Sequence, residues 1–215
     1  MWSTIKPFGK FALLIEWPQE INTSILAEIS SVRISLESAQ VDGVVDIVPA
    51  YASLTVFYQP EVISYSKLKE MICLWQVNIS DYIHQPGKLW EIPVTYSSEK
   101  DKDMAFFITH SGLTRDEIKF RHSSVVYDIF FIGFLPGFLY LGGLDESLYI
   151  PRKAVPDLKI PAGSVAIGGK QTGIYPRESP GGWYVIGHTD FKVIDLFKPP
   201  YCEVKAGDQV KFYPK

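Results

Sequence analysis

The chain has 215 residues, of which 47% are hydrophobic and 21% charged, and its formal net charge is −3. This composition is typical of a soluble globular protein and excludes a disordered, collagenous or coiled-coil chain. Because the 21 Lys and Arg residues do not outnumber the 24 Asp and Glu residues, the charge balance argues against a nucleic-acid partner.

The first half of the chain predicts the element order β-α-β-β-α-β. Apolar residues recur at helical spacing in the first helix, and Leu68, Ile72 and Trp75 do so in the second. The first helical stripe contains Ile21, Ile25, Ile29, Val32 and Leu36. The predicted strands cover residues 11–17, 44–48, 53–58 and 90–96. This order predicts a ferredoxin-like split βαβ domain.

Glycine and proline divide the chain into two halves of different character. Residues 1–90 contain 8 of them, whereas residues 131–187 contain 17. The boundary falls near Pro86 and Gly87, and we therefore predict an α+β protein with domains 1–88 and 89–215, each with its own hydrophobic core. The stretch between the predicted domains includes His84.

The second half opens with two predicted helices between residues 104 and 123. Gly112 ends the first, and Thr114 with Glu117 forms a capping box that begins the second. A buried strand is predicted at residues 125–131. Short apolar runs punctuated by Gly and Pro follow, which indicates a small β-barrel or sandwich.

Established catalytic and metal motifs are missing from the sequence. Gly169-Lys170 fails the phosphate-binding loop pattern, because Ser164 and Gln171 stand where glycine and Ser or Thr are needed. No two histidines are spaced i, i+4, so we expect no metal site. The two cysteines, Cys73 and Cys202, form neither a CxxC pair nor a disulfide framework. No apolar run is long enough for a signal peptide or a membrane span. We therefore expect a cytoplasmic location and no membrane partner.

The segment from Gly163 to Trp183 is the most informative part of the sequence. Its closely spaced glycines allow the backbone to approach a ligand or another backbone segment closely. Gln171, Thr172 and Tyr175 stand among these glycines. We expect these three side chains to be exposed at the mouth of the barrel, as a polar ligand or subunit surface. The structural alternative is that the glycines form tight barrel corners and that the side chains hold the barrel together.

Several longer runs resemble the allophanate hydrolase subunit 1 family. The resemblance covers nearly the whole chain. It is carried by HSSVVY (122–127), FIGFLPGFLYLGGL (131–144), PAGS (161–164), GGKQTGIYP (168–176) and PGGW (180–183). Departures from the family pattern are Leu139 in place of a common proline, and Asp157 in place of a second arginine, which weakens the case for anion binding there.

The resemblance implies a ferredoxin-like N-terminal domain and a cyclophilin-like β-barrel C-terminal domain. It also implies that the chain is a subunit of an ATP-dependent 5-oxoprolinase, which is a lactam hydrolase. The assembled complex is expected to use ATP with Mg, and the chain itself is expected to bind no cofactor tightly. The implied partners are a cyclophilin-like subunit 2 and a third, larger subunit, and the isolated chain is expected to be inactive. Alternatives are an inhibitor of a sensor histidine kinase, and half of a carboxyltransferase in urea or allophanate metabolism.

The predicted site combines this resemblance with residue chemistry. Arg152, Gln171, Thr172 and Tyr175 could donate hydrogen bonds to developing charge, and His122 could transfer a proton near neutral pH. His122 and His188 could equally be hydrogen-bonded histidines at a barrel edge. The expected catalytic residues are His122, Arg152, Gln171 and Tyr175. The expected substrate-binding residues are Tyr140, Gly163, Ser164, Thr172, Trp183 and His188.

Overall fold

The computed structural model describes residues 2–20, 22–75 and 87–215. The chain divides into two compact units, residues 1–85 and residues 86–215. In the described residues, no helix combines the length and the hydropathy that crossing a bilayer requires.

The described part of the first unit is an antiparallel sheet with two helices. The sheet order is β1-β2-β4-β3, and α1 connects β2 to β3. Strands β2 and β3 both run antiparallel to β4, which lies between them, so they are parallel to each other. The elements are β1 (Thr4–Pro7), β2 (Ala12–Glu16), α1 (Thr23–Ala39), β3 (Val44–Ala50), β4 (Ser53–Tyr58) and α2 (Tyr65–Trp75).

The predicted apolar stripes form the core of this unit. On α1 the residues Ile25, Ile29, Val32 and Leu36 are buried, while Ile21 lies outside the described residues. On α2 the residues Leu68 and Ile72 are fully buried, and the Trp75 side chain lies outside the described part. These helices pack on Leu13 and Ile15 of β2 and on Leu54 and Val56 of β4.

One predicted strand belongs to a different sheet. Residues 90–96 do form a strand, but it pairs within the second unit, so assigning it to the first sheet was wrong. The edge position beside β2 is taken by β1, which the apolar pattern did not predict. His84 lies outside the described residues.

The described second unit is built on a closed barrel of seven strands. Its order is β10-β7-β6-β13-β5-β12-β9, closed by the pairing of β9 with β10. Neighbouring strands are antiparallel except β5 and β13, which are parallel. The barrel strands are β5 (Leu89–Tyr96), β6 (Val126–Ile132), β7 (Leu139–Gly142), β9 (Ser164–Gly168), β10 (Gln171–Ile174), β12 (Tyr184–His188) and β13 (Gln209–Pro214).

Two helices and a small separate sheet complete the second unit. Helix α3 (Lys102–Ser111) packs against β12, and α4 (Arg115–Ser124) packs against β13. The predicted end of α3 and the predicted start of α4 are confirmed. Gly112 caps α3 in the left-handed conformation, and Thr114 and Glu117 form the capping box of α4. The separate sheet pairs β8 (Asp157–Ile160) with β11 (Ser179–Gly181).

Candidate functional site

The predicted site residues occupy three places in the second unit. His122 and Thr172 meet inside the barrel, whereas Gly163, Ser164 and His188 lie at a surface cleft. The remaining predicted residues gather on the outer face of the barrel; they are Tyr140, Arg152, Gln171, Tyr175 and Trp183.

Inside the barrel, His122 of α4 is held by two hydroxyl groups. Its Nδ1 lies 2.7 Å from Tyr96 Oη, and its Nε2 lies 2.9 Å from Thr172 Oγ1. The Thr172 hydroxyl donates its proton to the Ala166 carbonyl at 3.0 Å, so it accepts from His122 Nε2–H. Nδ1 is then the acceptor for the Tyr96 hydroxyl, which fixes the neutral Nε2–H tautomer.

Burial makes His122 unsuitable as a proton carrier. The imidazole is completely buried and stacks on Phe212 at 4.8 Å between ring centroids. Desolvation lowers its pKa to about 3, so the ring is neutral throughout the physiological range. The expectation that His122 transfers a proton near neutral pH is therefore wrong. The network joins α4 to β5 and β10 across the barrel interior.

On the outer face, aromatic rings pack together from β6, from β7 and the residue before it, from the residue after β10 and from the residue before β12. Tyr140 stacks on Phe131 at 4.1 Å between centroids and contacts Trp183 edge-on at 5.7 Å. Phe138 contacts both Tyr175 and Trp183 edge-on, at 4.9 and 5.4 Å. We call this set the aromatic patch; its members are Phe131, Phe138, Tyr140, Tyr175 and Trp183.

Two glycines make room for the Trp183 ring. A Cβ on Gly168 would lie 2.4 Å from Trp183 Cδ1, and one on Gly173 would lie 3.1 Å from Trp183 Cζ3 and 2.5 Å from the Leu139 carbonyl. Both positions therefore exclude a side chain. The glycines of β9 and β10 therefore allow the Trp183 indole to pack against the strands. A third glycine, Gly169, forms the turn between these strands with a φ of +65°.

Gln171, Thr172 and Tyr175 are buried, contrary to the expectation that a turn exposes them. Their exposed fractions are 7%, 0% and 2%. Residues 171–174 form strand β10, so alternate side chains point to opposite faces of the barrel wall. Gln171 and Tyr175 lie on the outer face, where other residues cover them, and Thr172 faces the barrel interior. Desolvation raises the pKa of Tyr175 to about 12, so its hydroxyl stays protonated at neutral pH.

Arg152 is the exposed cation beside the aromatic patch. Its guanidinium carbon lies 5.8 Å from the Trp183 ring. A guanidinium in this position has free donors that can hold both oxygens of a carboxylate. From the sequence, Arg152 is expected to supply a fixed positive charge for a carboxylate, and this role stays a prediction.

Ser164 and His188 line a cleft of about 720 Å³ bordered by α3 and β8. They are directly paired across β9 and β12. Gly163 precedes Ser164 with φ of +78°, and a Cβ there would lie 2.3 Å from the Thr189 carbonyl and 2.6 Å from His188 Nε2. His188 is half-exposed and bonds through Nε2 to the Ala162 carbonyl at 3.0 Å.

A charged cluster between this cleft and the aromatic patch was missed from the sequence. The Lys153 side chain is 8% exposed, and its Nζ lies 2.7 Å from Asp103 Oδ2 and also contacts Asp157. Burial lowers the pKa of Lys153, but its hydrogen bonds to the two carboxylates outweigh this and raise the pKa overall. Asp157, expected to weaken an anion site, is thus the partner of a buried lysine.

The described residues contain no cluster of three or more His, Cys, Asp or Glu side chains placed to hold a metal ion. Among the predicted residues on the outer face, the polar groups are those of Arg152, Gln171, Tyr140 and Tyr175. This set can bind an anionic ring by charge, hydrogen bonding and aromatic contact. It holds no group positioned as a nucleophile.

Comparison with known proteins identifies the family. The family described as carboxyltransferase domain, subdomain C and D, matches residues 3–204. The 5-oxoprolinase B subunit from Escherichia coli O157:H7 is 38% identical over 85% of this chain and 84% of its own length. The 5-oxoprolinase B subunit from Haemophilus influenzae is 36% identical over 97% of this chain and 96% of its own length.

Solved structures give the same picture. An uncharacterised conserved protein from Pyrococcus horikoshii, PH0987, is 42% identical with a TM-score of 0.57, covering 99% of this chain and 97% of that one. The protein TTHA0988 is 28% identical with a TM-score of 0.82, and the match covers 95% of this chain but 40% of that chain. The chain therefore belongs to the carboxyltransferase subdomain C and D family, which is the allophanate hydrolase subunit 1 family that its sequence motifs resemble.

Proposed function

We propose that this chain is one subunit of an ATP-dependent 5-oxoprolinase, the B subunit, in a complex that hydrolyses 5-oxoproline to glutamate. The observation that carries the proposal is the extent of the match to the H. influenzae relative, which covers 97% of one chain and 96% of the other. A likeness confined to the barrel would support a shared fold alone. Here both units match within a protein of nearly the same length.

The chain works within a complex. The TTHA0988 chain is matched over only 40% of its length, so that relative carries further sequence beside the part that corresponds to this chain. We propose that the present chain has a cyclophilin-like subunit 2 as a separate partner, together with a third, larger subunit.

The two units also take finer fold assignments in this proposal. The β2-α1-β3 connection with β4 between its strands is a split βαβ arrangement. Strand β1 stands where the last strand of a ferredoxin-like domain pairs, so we assign the first unit as a ferredoxin-like variant. The closed barrel with α3 and α4 is assigned as cyclophilin-like.

The reaction requires activation of an unstrained amide. Transfer of the γ-phosphoryl group of ATP to the lactam oxygen forms an O–P bond and releases ADP. Water then adds to the activated carbon, the C–N bond breaks with protonation of the nitrogen, and γ-glutamyl phosphate results. A second water hydrolyses this to glutamate and phosphate.

The outer-face residues fit the binding part of this chemistry. 5-Oxoproline has a carboxylate, for which Arg152 offers a guanidinium, and a flat ring, for which Trp183 and Tyr140 offer aromatic surfaces. The protonated Tyr175 hydroxyl and the Gln171 amide are neutral donors for the lactam oxygen. Donors aimed at an oxygen that gains charge accelerate such steps strongly.

The proposal is tested by co-expressing this chain with a subunit 2 and a large subunit encoded beside it. The purified complex should hydrolyse ATP only when 5-oxoproline is added, and should release glutamate in equal amount. The chain alone should do neither. A complex that forms but shows no ATP hydrolysis dependent on 5-oxoproline would contradict the proposal.

Carboxyl transfer is the second candidate, and the description of the matching family favours it. In that case the complex would require a biotin-carrying partner and would transfer carboxylate between biotin and a urea-like acceptor. The same purified complex distinguishes the two reactions. Bicarbonate-dependent carboxylation of free biotin or urea, without hydrolysis of 5-oxoproline, would support the second candidate instead.

A further inference from the structure

The hairpin that joins β6 to β7 holds an aromatic residue in a strained backbone conformation. Phe134 has a φ of +64°, in the left-handed region that bulky residues rarely occupy. The Leu135 N–H donates to the Gly133 carbonyl at 2.7 Å, so Phe134 is the central residue of a γ-turn. A γ-turn with positive φ is the rare and strained form. Strain of this kind persists only where the surrounding structure enforces it, and it is concentrated at functional sites.

The rest of the hairpin fixes this turn in place. Residues 135–138 form a type II turn. The hydrogen bond that closes it, from the Phe138 N–H to the Leu135 carbonyl, is 3.0 Å long, and Gly137 has a φ of +84°. A Cβ on Gly137 would lie 2.6 Å from Cγ1 of Ile194, so the hairpin packs closely on the segment that follows β12. These contacts hold the hairpin in one conformation before any partner binds.

The Phe134 ring stands in solvent at the tip of an uncharged hairpin. Phe134 is 61% exposed, and its ring meets Phe138 of the aromatic patch edge-on at 5.6 Å between centroids. Residues 129–144 contain no Asp, Glu, Lys or Arg. Because most of the ring surface remains in water, packing within the chain does not account for the strain.

The shape and chemistry of the tip favour a protein partner over a small molecule. Small-molecule sites are concave and enclose most of the ligand, whereas the Phe134 ring lies at the end of a hairpin. The centres of protein interfaces are poor in charged residues and rich in aromatic ones, and a few such residues carry most of the binding energy. A ring that is already fixed in its bound conformation also loses little entropy on binding.

The cavities of this chain do not suit a second copy as the partner. Cavities of about 720, 460 and 260 Å³ lie in the described residues, and charged side chains line all three. Asp101, Asp46 and Lys192 are examples, one from each cavity. A phenyl ring placed in any of these cavities would remove water from charged groups without replacing their hydrogen bonds. A different protein with an uncharged pocket is therefore the better fit.

We propose that Phe134 is the aromatic anchor through which this chain docks on the cyclophilin-like partner subunit, by inserting its ring into an uncharged apolar pocket of that subunit. The strained turn presents the ring in the conformation that docking requires. Because Phe134 contacts Phe138 of the aromatic patch, the docked partner borders the site proposed for 5-oxoproline. The inference rests on the proposed function for the identity of the partner.

The first test measures the affinity of the purified chain for the subunit 2 encoded beside it, by isothermal titration calorimetry. Phe134→Ala and Phe134→Gly both remove the ring, so each should raise the Kd at least about 30-fold, which corresponds to about 2 kcal/mol. Phe120→Ala is the matched control. Phe120 is likewise exposed, at 69%, but it lies on α4, so its loss should leave the Kd unchanged.

The second test uses the same two variants to measure the strain in the isolated chain. Phe134→Gly should melt about 2–4 °C above Phe134→Ala, because glycine adopts a positive φ without the clash that a Cβ makes there. At an unstrained position the order is reversed, since glycine is less stabilising than alanine. A weakened affinity in the more stable of the two variants is then a property of the ring and not of unfolding.

The outcomes distinguish the docking role from the proposed function. If the parent complex hydrolyses 5-oxoproline and Phe134→Ala binds subunit 2 as tightly as the parent, only the docking role is contradicted. If the complex forms and Phe134→Ala weakens it, but 5-oxoproline is not hydrolysed, the docking role stands and the proposed function is wrong. Failure of the parent to bind subunit 2 contradicts both.

Two further results would overturn the docking role. One is a melting temperature of Phe134→Gly equal to or below that of Phe134→Ala, since the turn would then not be strained. The other is a dimer of the isolated chain in sedimentation experiments that Phe134→Ala dissociates, because the ring would then bind a second copy.

Discussion

The buried histidine gives the second unit a pH dependence whose sign and size follow from the structure. The pKa of His122 is about 3 in the folded chain and 6.5 in its ordinary state. Between these values the unfolded chain binds a proton that the folded chain does not. Stability is therefore complete above pH 6.5 and falls as the pH drops toward 3.

The expected loss is large enough to measure well above acid unfolding. Each pH unit in this window removes about 1.4 kcal/mol from the free energy of unfolding. From pH 7.5 to pH 5.0 the loss is about 2 kcal/mol. The carboxylates whose pKa is lowered, such as Asp157 and Asp145, contribute mainly below pH 4, since their ordinary pKa is 3.8. The interval down to pH 5.0 thus isolates the histidine.

The perturbation is His122→Gln, which keeps a hydrogen-bonding side chain but does not titrate. Urea unfolding, followed by NMR signals of barrel amides, should show that the variant loses about 2 kcal/mol less than the parent between pH 7.5 and 5.0. His188→Gln is the control: this histidine is half-exposed, and its variant should keep the parent's pH dependence.

Two results would refute this reasoning. One is an equal loss of stability in the parent and in His122→Gln. The other is an NMR titration of the His122 ring with a midpoint near 6.5. Such a midpoint would mean that burial of the ring against Phe212 does not lower its pKa.

Three further predictions concern other parts of the second unit. Gly163→Ala should destabilise it by about 3 kcal/mol in urea, because a Cβ meets the Thr189 carbonyl at 2.3 Å; Gly169→Ala, also at positive φ but with open space, should lose only about 1 kcal/mol. Thr114→Ala removes the N-cap of α4 and should lower the free energy of unfolding by about 1 kcal/mol. Thr109→Ala is its control: the Thr109 hydroxyl bonds to the Ala105 carbonyl of its own helix, and its loss should change the free energy of unfolding by less than about 0.5 kcal/mol. Equal effects of the two substitutions would show that the capping box does not stabilise α4. Arg152→Ala should melt like the parent yet reduce kcat/KM of the assembled complex by ~10² or more, with Arg152→Lys intermediate; full activity in the alanine variant would remove Arg152 from the site.

The sequence predicted elements better than it predicted their partners. Alternation in residues 90–96 indicates a strand with one buried face, but it carries no information on which sheet that face belongs to. Strand β1 escaped prediction because it is a four-residue edge strand with little burial, ending in Pro7. The capping box at Thr114 was readable since both partners lie within one helical turn.

The site was harder to predict because its contacts are long-range. The glycines at 168 and 173 suggested an exposed turn, whereas they accommodate the ring of Trp183, which is ten or more positions away. The neutral state of His122 depends on Tyr96 and Thr172, from two other strands. Of the two carboxylates that hold Lys153, Asp157 is four positions away, but Asp103 is 50 positions distant and no local pattern indicates it.

The parallel pairing of β5 with β13 has a consequence for the order in which the barrel can form during synthesis. Lys88 N–H and the Trp90 indole both bond to Asp208, which is 120 and 118 positions downstream. Strand β5 is the first barrel strand to be synthesised. Its edge that pairs with β13 stays uncovered until β13 has also been synthesised. Until then that edge exposes unpaired backbone groups, the kind that promote association between chains. Nascent chains halted before residue 209 should therefore depend on chaperones far more than chains extended past residue 214.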